Sequence, residues 1–85
     1  MKQFSYVITD ALGIHARPAG ELVKLAKSVE SSIKLSCNGK EADAKRLIAV
    51  MSLGAKQGNE LFVSVEGTDE EAAAEKFSTF LKESL

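Results

Sequence analysis

The chain has 85 residues, of which 45% are hydrophobic, and its 11 basic and 12 acidic side chains give a net charge of −1. This length predicts one domain, because two domains of about 40 residues each would need disulfides or metals to hold separate cores. The near-balanced charge argues against a general nucleic-acid binder, which would carry a basic stripe, and against a highly charged disordered tail.

Cysteine content and apolar segments indicate the compartment. Cys37 is the only cysteine, so no intrachain disulfide can form, whereas small secreted domains usually carry several. Residues 1–6 do not begin a signal peptide, and the longest strongly apolar run, 47–51, is far shorter than the roughly 20 residues that span a bilayer. One His and one Cys also argue against a structural zinc site. We therefore expect a cytoplasmic domain with no membrane insertion, no metal and no other cofactor.

The first half of the chain predicts a strand, a helix and a hairpin. Apolar residues alternate at positions 4, 6 and 8, as in a strand with one buried face. A helix is expected over 16–28, because the apolar residues at 19, 22, 23 and 26 form one stripe. Alternation returns over 33–37, and Asn38-Gly39 is a strong signal for a type I′ turn. That turn would pair a short strand over 40–43 with the strand before it.

The second half predicts a helix, a strand and a helix. The first of these helices, over 47–53, is apolar nearly all round and ends before Gly54, so one side of it is expected to stay exposed as a docking surface. Alternation over 61–65 predicts a strand, and a last helix is expected over 69–84, with a capping box at 68–71. The order β-α-β-β-α-β-α predicts an α+β fold, with helices on one face of an antiparallel sheet and the other face in water.

Residues 13–19, GIHARPA, join the first strand to the first helix and carry the chemistry of the chain. Gly13 permits a positive-φ turn, and Pro18 suits a first helical turn, so the helix is expected to begin at about His15 or Ala16. The N–H groups of Ala16 and Arg17 would then be free to bind an anion. The Arg17 side chain adds a permanent cation that can grip phosphate oxygens.

His15, the only histidine, lies at this helix start. A neutral imidazole nitrogen is a good nucleophile near pH 7, so His15 could hold a phosphoryl group and release it again. Neither a metal site nor a general base is evident in the sequence to complete an enzyme, which favours a carrier. The alternative is that His15 is an ordinary surface or capping residue.

Residues 13–19 match in full the active-centre motif of the HPr family, the histidine-containing phosphocarriers of the bacterial phosphoenolpyruvate-dependent sugar phosphotransferase system. Residues 47–54 resemble the segment around that family's second helix, and the turns at 38–40 and 66–70 lie where the family has turns. The resemblance covers essentially the whole chain, 1–85, as one HPr-like domain. It implies an open-faced β-sandwich, a four-stranded antiparallel sheet with three helices on one face.

The resemblance also implies a function and a set of partners. Phosphorylated enzyme I would pass a phosphoryl group to Nδ1 of His15, which would pass it to the A domain or subunit of a sugar-specific enzyme II. The backbone of Ala16 and the side chain of Arg17 would stabilise the phosphate charge. Carried over by position, the partner surface has an apolar centre and a basic rim, made by Gly20, Leu47, Ile48, Met51, Lys24, Lys27 and Lys45. Plain core packing is the alternative for Leu47 and Met51, and a monomer is expected.

The chain departs from many relatives at Arg46. In family members from low-GC Gram-positive bacteria, a serine at this position is phosphorylated by a dedicated kinase, which slows transfer from enzyme I and creates a corepressor for carbon-catabolite control. Arginine cannot be phosphorylated by such a kinase, and the spacing of Ser52 does not make it an equivalent site. We therefore expect a function in transport without serine-linked control.

Three other functions are open at this point. An HPr-like regulatory protein would bind enzymes or transcription factors without feeding sugar transport, but such relatives often lack the histidine. A nitrogen-related paralogue would use the same carrier chemistry with different partners. An unrelated α+β binding module would carry His15 by coincidence, which the full motif at a strand-to-helix junction disfavours.

Overall fold

A computed structural model describes all residues, 1–85, in the order β-α-β-β-α-β-α. The elements are β1 (Lys2–Val7), α1 (Ala16–Lys27), β2 (Ser32–Cys37), β3 (Lys40–Asp43), α2 (Leu47–Ser52), β4 (Glu60–Glu66) and α3 (Glu70–Ser84). Every element begins and ends within two residues of its expected bounds. The predicted fold class, an open four-stranded antiparallel sheet with three helices, is confirmed.

The sheet buries one face against the helices. Its strands run antiparallel in the order β1-β4-β2-β3, so the two strands with the most buried residues, β2 and β4, lie in the centre. The register sets Leu35 opposite Val63 and Ile33 opposite Val65, with all four side chains pointing to the helix layer. A core of 22 buried residues fills the space between the sheet and the helices.

The opposite face of the sheet is in contact with water, as expected, although it is not wholly polar. Phe62 is 51% exposed on β4, where Ser5 and Ser36 are its neighbours on the two adjacent strands. Val7 is also exposed, at the end of β1. Isolated apolar side chains of this kind are common on protein surfaces.

The hairpin between β2 and β3 has the expected geometry. Asn38 and Gly39 have φ values of +55° and +76°, the left-handed conformation that a type I′ turn requires at both positions. Cys37, just before the turn, is buried in the core. Burial raises the pKa of the Cys37 thiol, so this residue is held as an unreactive thiol and packs as a small hydrophobe.

The start of α3 differs from the predicted capping box. Asp69 is the N-cap residue, but its carboxylate makes no bond to its own helix. It accepts hydrogen bonds from the N–H groups of Glu30 and Ser31, at 3.0 and 2.9 Å, and from the Ser31 hydroxyl. The residue that bonds back to the preceding backbone is Glu70, which accepts from the Gly67 N–H at 3.3 Å. The capping-box prediction is wrong because the loop between α1 and β2 lies close enough to bind the Asp69 side chain.

Asp69 is expected to make stability depend on acid pH. Hydrogen bonds from the Ser31 hydroxyl and then from the Glu30 and Ser31 N–H groups hold the pKa of Asp69 below its usual value. A carboxyl whose pKa is lower in the folded chain stabilises it above the unfolded pKa of about 4, and this contribution is lost as the pH falls through the lowered folded pKa. We expect Asp69→Asn to lower the urea midpoint at pH 7 and to make the decline below about pH 4 shallower.

Urea titrations at several pH values, followed by circular dichroism, measure both effects. Glu41→Gln, which changes an exposed carboxylate on β3, is the matched control. It should change neither the urea midpoint at pH 7 nor the decline of stability at acid pH. In Asp69→Asn, the decline of stability below about pH 4 should become shallower but should not disappear. A second carboxyl contributes to it, because a hydrogen bond from the N-terminal amino group also lowers the pKa of Glu70. If the stability of Asp69→Asn falls as steeply below pH 4 as that of the natural chain, the Asp69 carboxylate does not stabilise the loop between α1 and β2.

Candidate functional site

The loop between β1 and α1 is held from two sides before it reaches the histidine. The N–H groups of Thr9 and Asp10 donate to the carbonyl of Leu85, beyond the end of α3, at 2.6 and 2.7 Å. Further along, the N–H of Ile14 donates to the carbonyl of Ala55 at 3.0 Å. The Ile14 side chain is buried in the core. These contacts fix the backbone immediately before His15.

Gly13 allows this loop to approach the segment before β4. Its φ is +66°, and a Cβ atom at this position would lie 2.3 Å from the carbonyl oxygen of Ala55 and 2.7 Å from the Cα of Lys56. Both neighbours are backbone atoms, so an L side chain fits only if the backbone moves. The positive-φ turn predicted at Gly13 is therefore confirmed, and its close approach to Ala55 is a second reason for the glycine.

The start of α1 leaves free hydrogen-bond donors at the motif. His15 is the N-cap residue in extended conformation, and its carbonyl accepts the first helical hydrogen bond, from Ala19, at 2.9 Å. The N–H groups of Ala16 and Arg17 have no backbone acceptor in the chain. Pro18 has no N–H to satisfy, and its ring is buried. This arrangement provides donors and a helix dipole that favour an anion.

The imidazole of His15 lies in a shallow, open depression. The His15 ring is half-buried and makes no capping hydrogen bond, while Arg17 in the same depression is exposed. The other lining residues are Asp10, Pro18, Glu21 and Ser84. The open shape leaves room for a group presented by another macromolecule to approach the half-buried ring. The depression does not enclose a small substrate, as an enzyme pocket usually does.

The apolar residues predicted for a partner surface are exposed. Leu47, Ile48 and Met51 on α2 are 43%, 81% and 42% exposed, whereas Val50 between them is fully buried. The alternative that Leu47 and Met51 belong to the core is therefore wrong. The helix has only six residues and turns one side, with Val50, to the sheet.

The predicted basic rim is also accessible. Gly20, Lys24 and Lys27 are exposed and share one edge of α1, because residues three and four apart are neighbours on a helix. Lys45, in the turn before α2, is half-buried, and its N–H donates to the Asp43 carboxylate at 2.9 Å. The lysines predicted for the rim are thus accessible on the surface of the chain.

Arg46 is the N-cap residue of α2, and its side chain makes no capping hydrogen bond. It is exposed immediately before Leu47. Ser52, the nearest serine in this helix, donates its hydroxyl to the carbonyl of Ile48 at 2.7 Å. The only hydroxyl in α2 is therefore engaged with the helix backbone, one turn away from the helix start.

Several residues that shape the site could not be found from the sequence. Ala55 supplies the carbonyl that holds Ile14, and Ser84 and Glu21 line the depression around His15. Gly54 and Gly58 predict a turn-rich segment near Ala55, but no local signal places that segment against Gly13.

The geometry offers no other centre of this kind. No three His, Cys, Asp or Glu side chains lie together as a metal site, and no helix is long and apolar enough to cross a bilayer. His15, Arg17 and the free N–H groups at the start of α1 are the groups of this site that can interact with a phosphoryl group.

Comparisons with known proteins agree with this arrangement. Residues 2–83 match the family model described as "PTS HPr component phosphorylation site". Phosphocarrier protein HPr of Lysinibacillus sphaericus is 42% identical over 83 residues, which are 98% of this chain and 94% of the relative. A mycoplasma histidine-containing phosphocarrier protein superposes with a TM-score of 0.93 at 33% identity, over 96% of this chain and 93% of its own. The Bacillus subtilis protein Crh, described as a swapped dimer, superposes with a TM-score of 0.77 at 32% identity, over 100% of this chain and 98% of its own.

The fold and the phosphorylation-site model define the class as a histidine phosphocarrier with an open-faced β-sandwich. This chain belongs to the HPr family, the phosphocarriers of the phosphotransferase system.

Proposed function

We propose that this chain accepts a phosphoryl group on Nδ1 of His15 from phosphorylated enzyme I and donates it to the A domain or subunit of a sugar-specific enzyme II. The observation that carries the proposal is the position of His15. Its accessible ring sits at a helix start whose N–H groups, on Ala16 and Arg17, have no backbone acceptor in the chain. The Arg17 side chain lies in the same depression.

The transfer needs no cofactor. The lone pair on Nδ1 attacks phosphorus, the bond from phosphorus to its donor atom on enzyme I breaks, and a P–N bond forms on the ring. The phosphoryl oxygens then lie near the positive end of the α1 dipole, where N–H groups and the Arg17 guanidinium stabilise their charge. In the second transfer an acceptor atom of the enzyme II domain attacks phosphorus, the P–N bond to His15 breaks, and its electron pair returns to the imidazole.

An exposed site suits a carrier. Arg17 is exposed to water, which weakens its attraction for phosphate compared with a buried guanidinium. The phosphoryl group is thereby stabilised without being trapped, so that both transfers can be nearly thermoneutral.

Phosphorylation of the natural chain tests the proposal directly. The purified protein is incubated with phosphoenolpyruvate and a catalytic amount of cognate enzyme I, and its intact mass is measured. We expect one added phosphate that is stable to base and lost in acid, as a phosphoramidate is. A folded chain that gains no phosphate from an active, cognate enzyme I would overturn the carrier function and favour a regulatory HPr-like protein.

The exposed face of α2 is the proposed docking surface for both partners. Leu47, Ile48 and Met51 form its centre, and the lysines around them complement acidic partners and speed encounter.

We expect Ile48→Glu to reduce kcat/KM for phosphotransfer about tenfold or more, because it places a charge at the centre of this apolar patch. Since Ile48 is 81% exposed, stability should change little. Steady-state transfer from enzyme I measures the effect. Phe62→Glu, the same kind of change at an exposed apolar residue on the open face of the sheet, is the control. Equal losses in the two variants would count against this surface.

We further propose that the chain has no serine-linked control. Arg46 occupies the helix start where a phosphorylatable serine would stand, and Ser52 is bonded to the Ile48 carbonyl. Incubation with ATP and an HPr kinase should therefore leave the intact mass unchanged. An Arg46→Ser variant tests whether the position alone is decisive, and stoichiometric phosphoserine on the natural chain would contradict the expectation.

A monomeric, cytoplasmic carrier is part of the same proposal. The presence of His15 favours the carrier over a purely regulatory protein. Size-exclusion chromatography at several concentrations tests the monomer against a swapped dimer of the kind described for Crh.

A further inference from the structure

A groove of about 640 Å³ runs along α1 and α3, and the proposed phosphotransfer makes no use of it. Its apolar floor is formed by Leu25, Ala72 and Phe80. Leu25 and Phe80 pack against the edge of the core, yet both stay only half-buried. Covering these side chains further would remove apolar surface from water, which favours association.

The rim of this α1–α3 groove is mainly acidic. Glu21 from α1 and Glu75 and Glu83 from α3 line it, against one cation, Lys76. All four side chains are exposed, and none forms an ion pair within the chain. Three carboxylates with only one lysine beside an apolar floor suit a ligand of the opposite pattern, apolar at its centre and basic at its edges.

The charge changes around α1. At 100° per residue, Glu21 and Leu25 lie about 40° apart on the groove side, and Lys27 lies about 120° from Glu21. Lys24 lies between them, about 60° from both Glu21 and Lys27. Glu21 also lines the depression at His15, so a ligand in the groove would lie beside the phosphorylation site.

We propose that the α1–α3 groove docks a basic amphipathic helix of a partner protein. Apolar side chains three and four apart on that helix would cover Leu25 and Phe80, as ridges fill the groove between two packed helices. Lysine or arginine side chains beside them would face Glu21, Glu75 and Glu83. The partner would leave the exposed face of α2 free, so this surface is distinct from the proposed docking surface for enzyme I.

A synthetic helical peptide tests the proposal on the full chain. The probe has about 15 residues, with leucines on one face and lysines on the other, and carries a fluorophore for anisotropy measurements. Binding is mapped with ¹⁵N-labelled protein, and we expect shifted amide signals along α1 and α3 around the groove. A scrambled peptide of the same composition, which has the charge but not the two faces, should bind at least about tenfold more weakly.

Charge reversal in the groove supplies the matched comparison. Glu75→Lys with Glu83→Lys should weaken binding of the amphipathic peptide about tenfold. Glu41→Lys with Glu66→Lys makes the same change of net charge on the open sheet face and should have an effect below about twofold. Equal effects of the two double variants, equal binding of the scrambled peptide, or shifts confined to α2 or the sheet would each overturn the proposal. Since the assay involves no phosphate, its outcome is independent of the carrier function.

Discussion

The His15→Ala protein is expected to take up no phosphate from phosphoenolpyruvate and enzyme I, a complete loss rather than a reduction. His15 carries the only imidazole in the chain, so no second histidine can accept the phosphoryl group in its place. Stability should change by less than about 0.5 kcal/mol, because the half-buried ring makes no capping hydrogen bond. Intact mass before and after acid treatment, together with a urea titration, measures both outcomes.

Arg17→Gln is the companion variant for this experiment. It keeps the nucleophile and the free N–H groups at the start of α1 but removes the exposed cation, so phosphate should still be accepted, at a lower rate. A phosphorylated His15→Ala protein would contradict the assignment of the site. An Arg17→Gln protein that transfers at the natural rate would contradict only the proposed role of the guanidinium.

Gly13→Ala is expected to have the largest effect on stability among substitutions near the site, a loss of about 3 kcal/mol. The new Cβ would meet the carbonyl oxygen of Ala55 and the Cα of Lys56, and the left-handed backbone adds its own cost. Because the two loops must separate to make room, the hydrogen bond from Ile14 to Ala55 should weaken and His15 should lose its fixed position. Urea unfolding and the rate of phosphotransfer are the two measurements.

Gly54→Ala is the matched control for the close approach at Gly13. Gly54 has nearly the same φ, +64° against +66°, but a Cβ there would meet nothing within 4 Å. Gly54→Ala should therefore cost only the strain of a Cβ atom on a left-handed backbone, about 1–2 kcal/mol. The rate of phosphotransfer should change little. If both alanine variants lose the same stability, the close approach of Gly13 to Ala55 adds no cost beyond that of the left-handed backbone.

Local patterns in the chain were sufficient to predict the secondary structure and to indicate a candidate site. The stripe of Leu22, Val23 and Ala26 predicts α1, alternation predicts β2 and β4, and Asn38-Gly39 predicts the turn, because each pattern reflects the geometry of one element. The start of α1 and the free N–H groups beside His15 follow in the same way from Pro18.

Contacts between distant segments had to come from the folded molecule. The capping box predicted at the start of α3 failed because Asp69 binds Glu30 and Ser31, which are about 40 residues away in sequence. No local pattern could show that Ala55 holds the loop before His15. Sequence spacing describes one helix or strand at a time, whereas these hydrogen bonds depend on how separate elements pack.

The same distinction applies to the surfaces of this protein. Its residues alone predicted a fold class, a histidine at a helix start and an apolar second helix, since all of these are properties of contiguous segments. Whether Leu47 and Met51 lie in the core or in water depended on packing, which buries Val50 and turns its neighbours outward. The acidic groove likewise exists only because α1 and α3, more than 40 residues apart in the chain, lie side by side on the sheet.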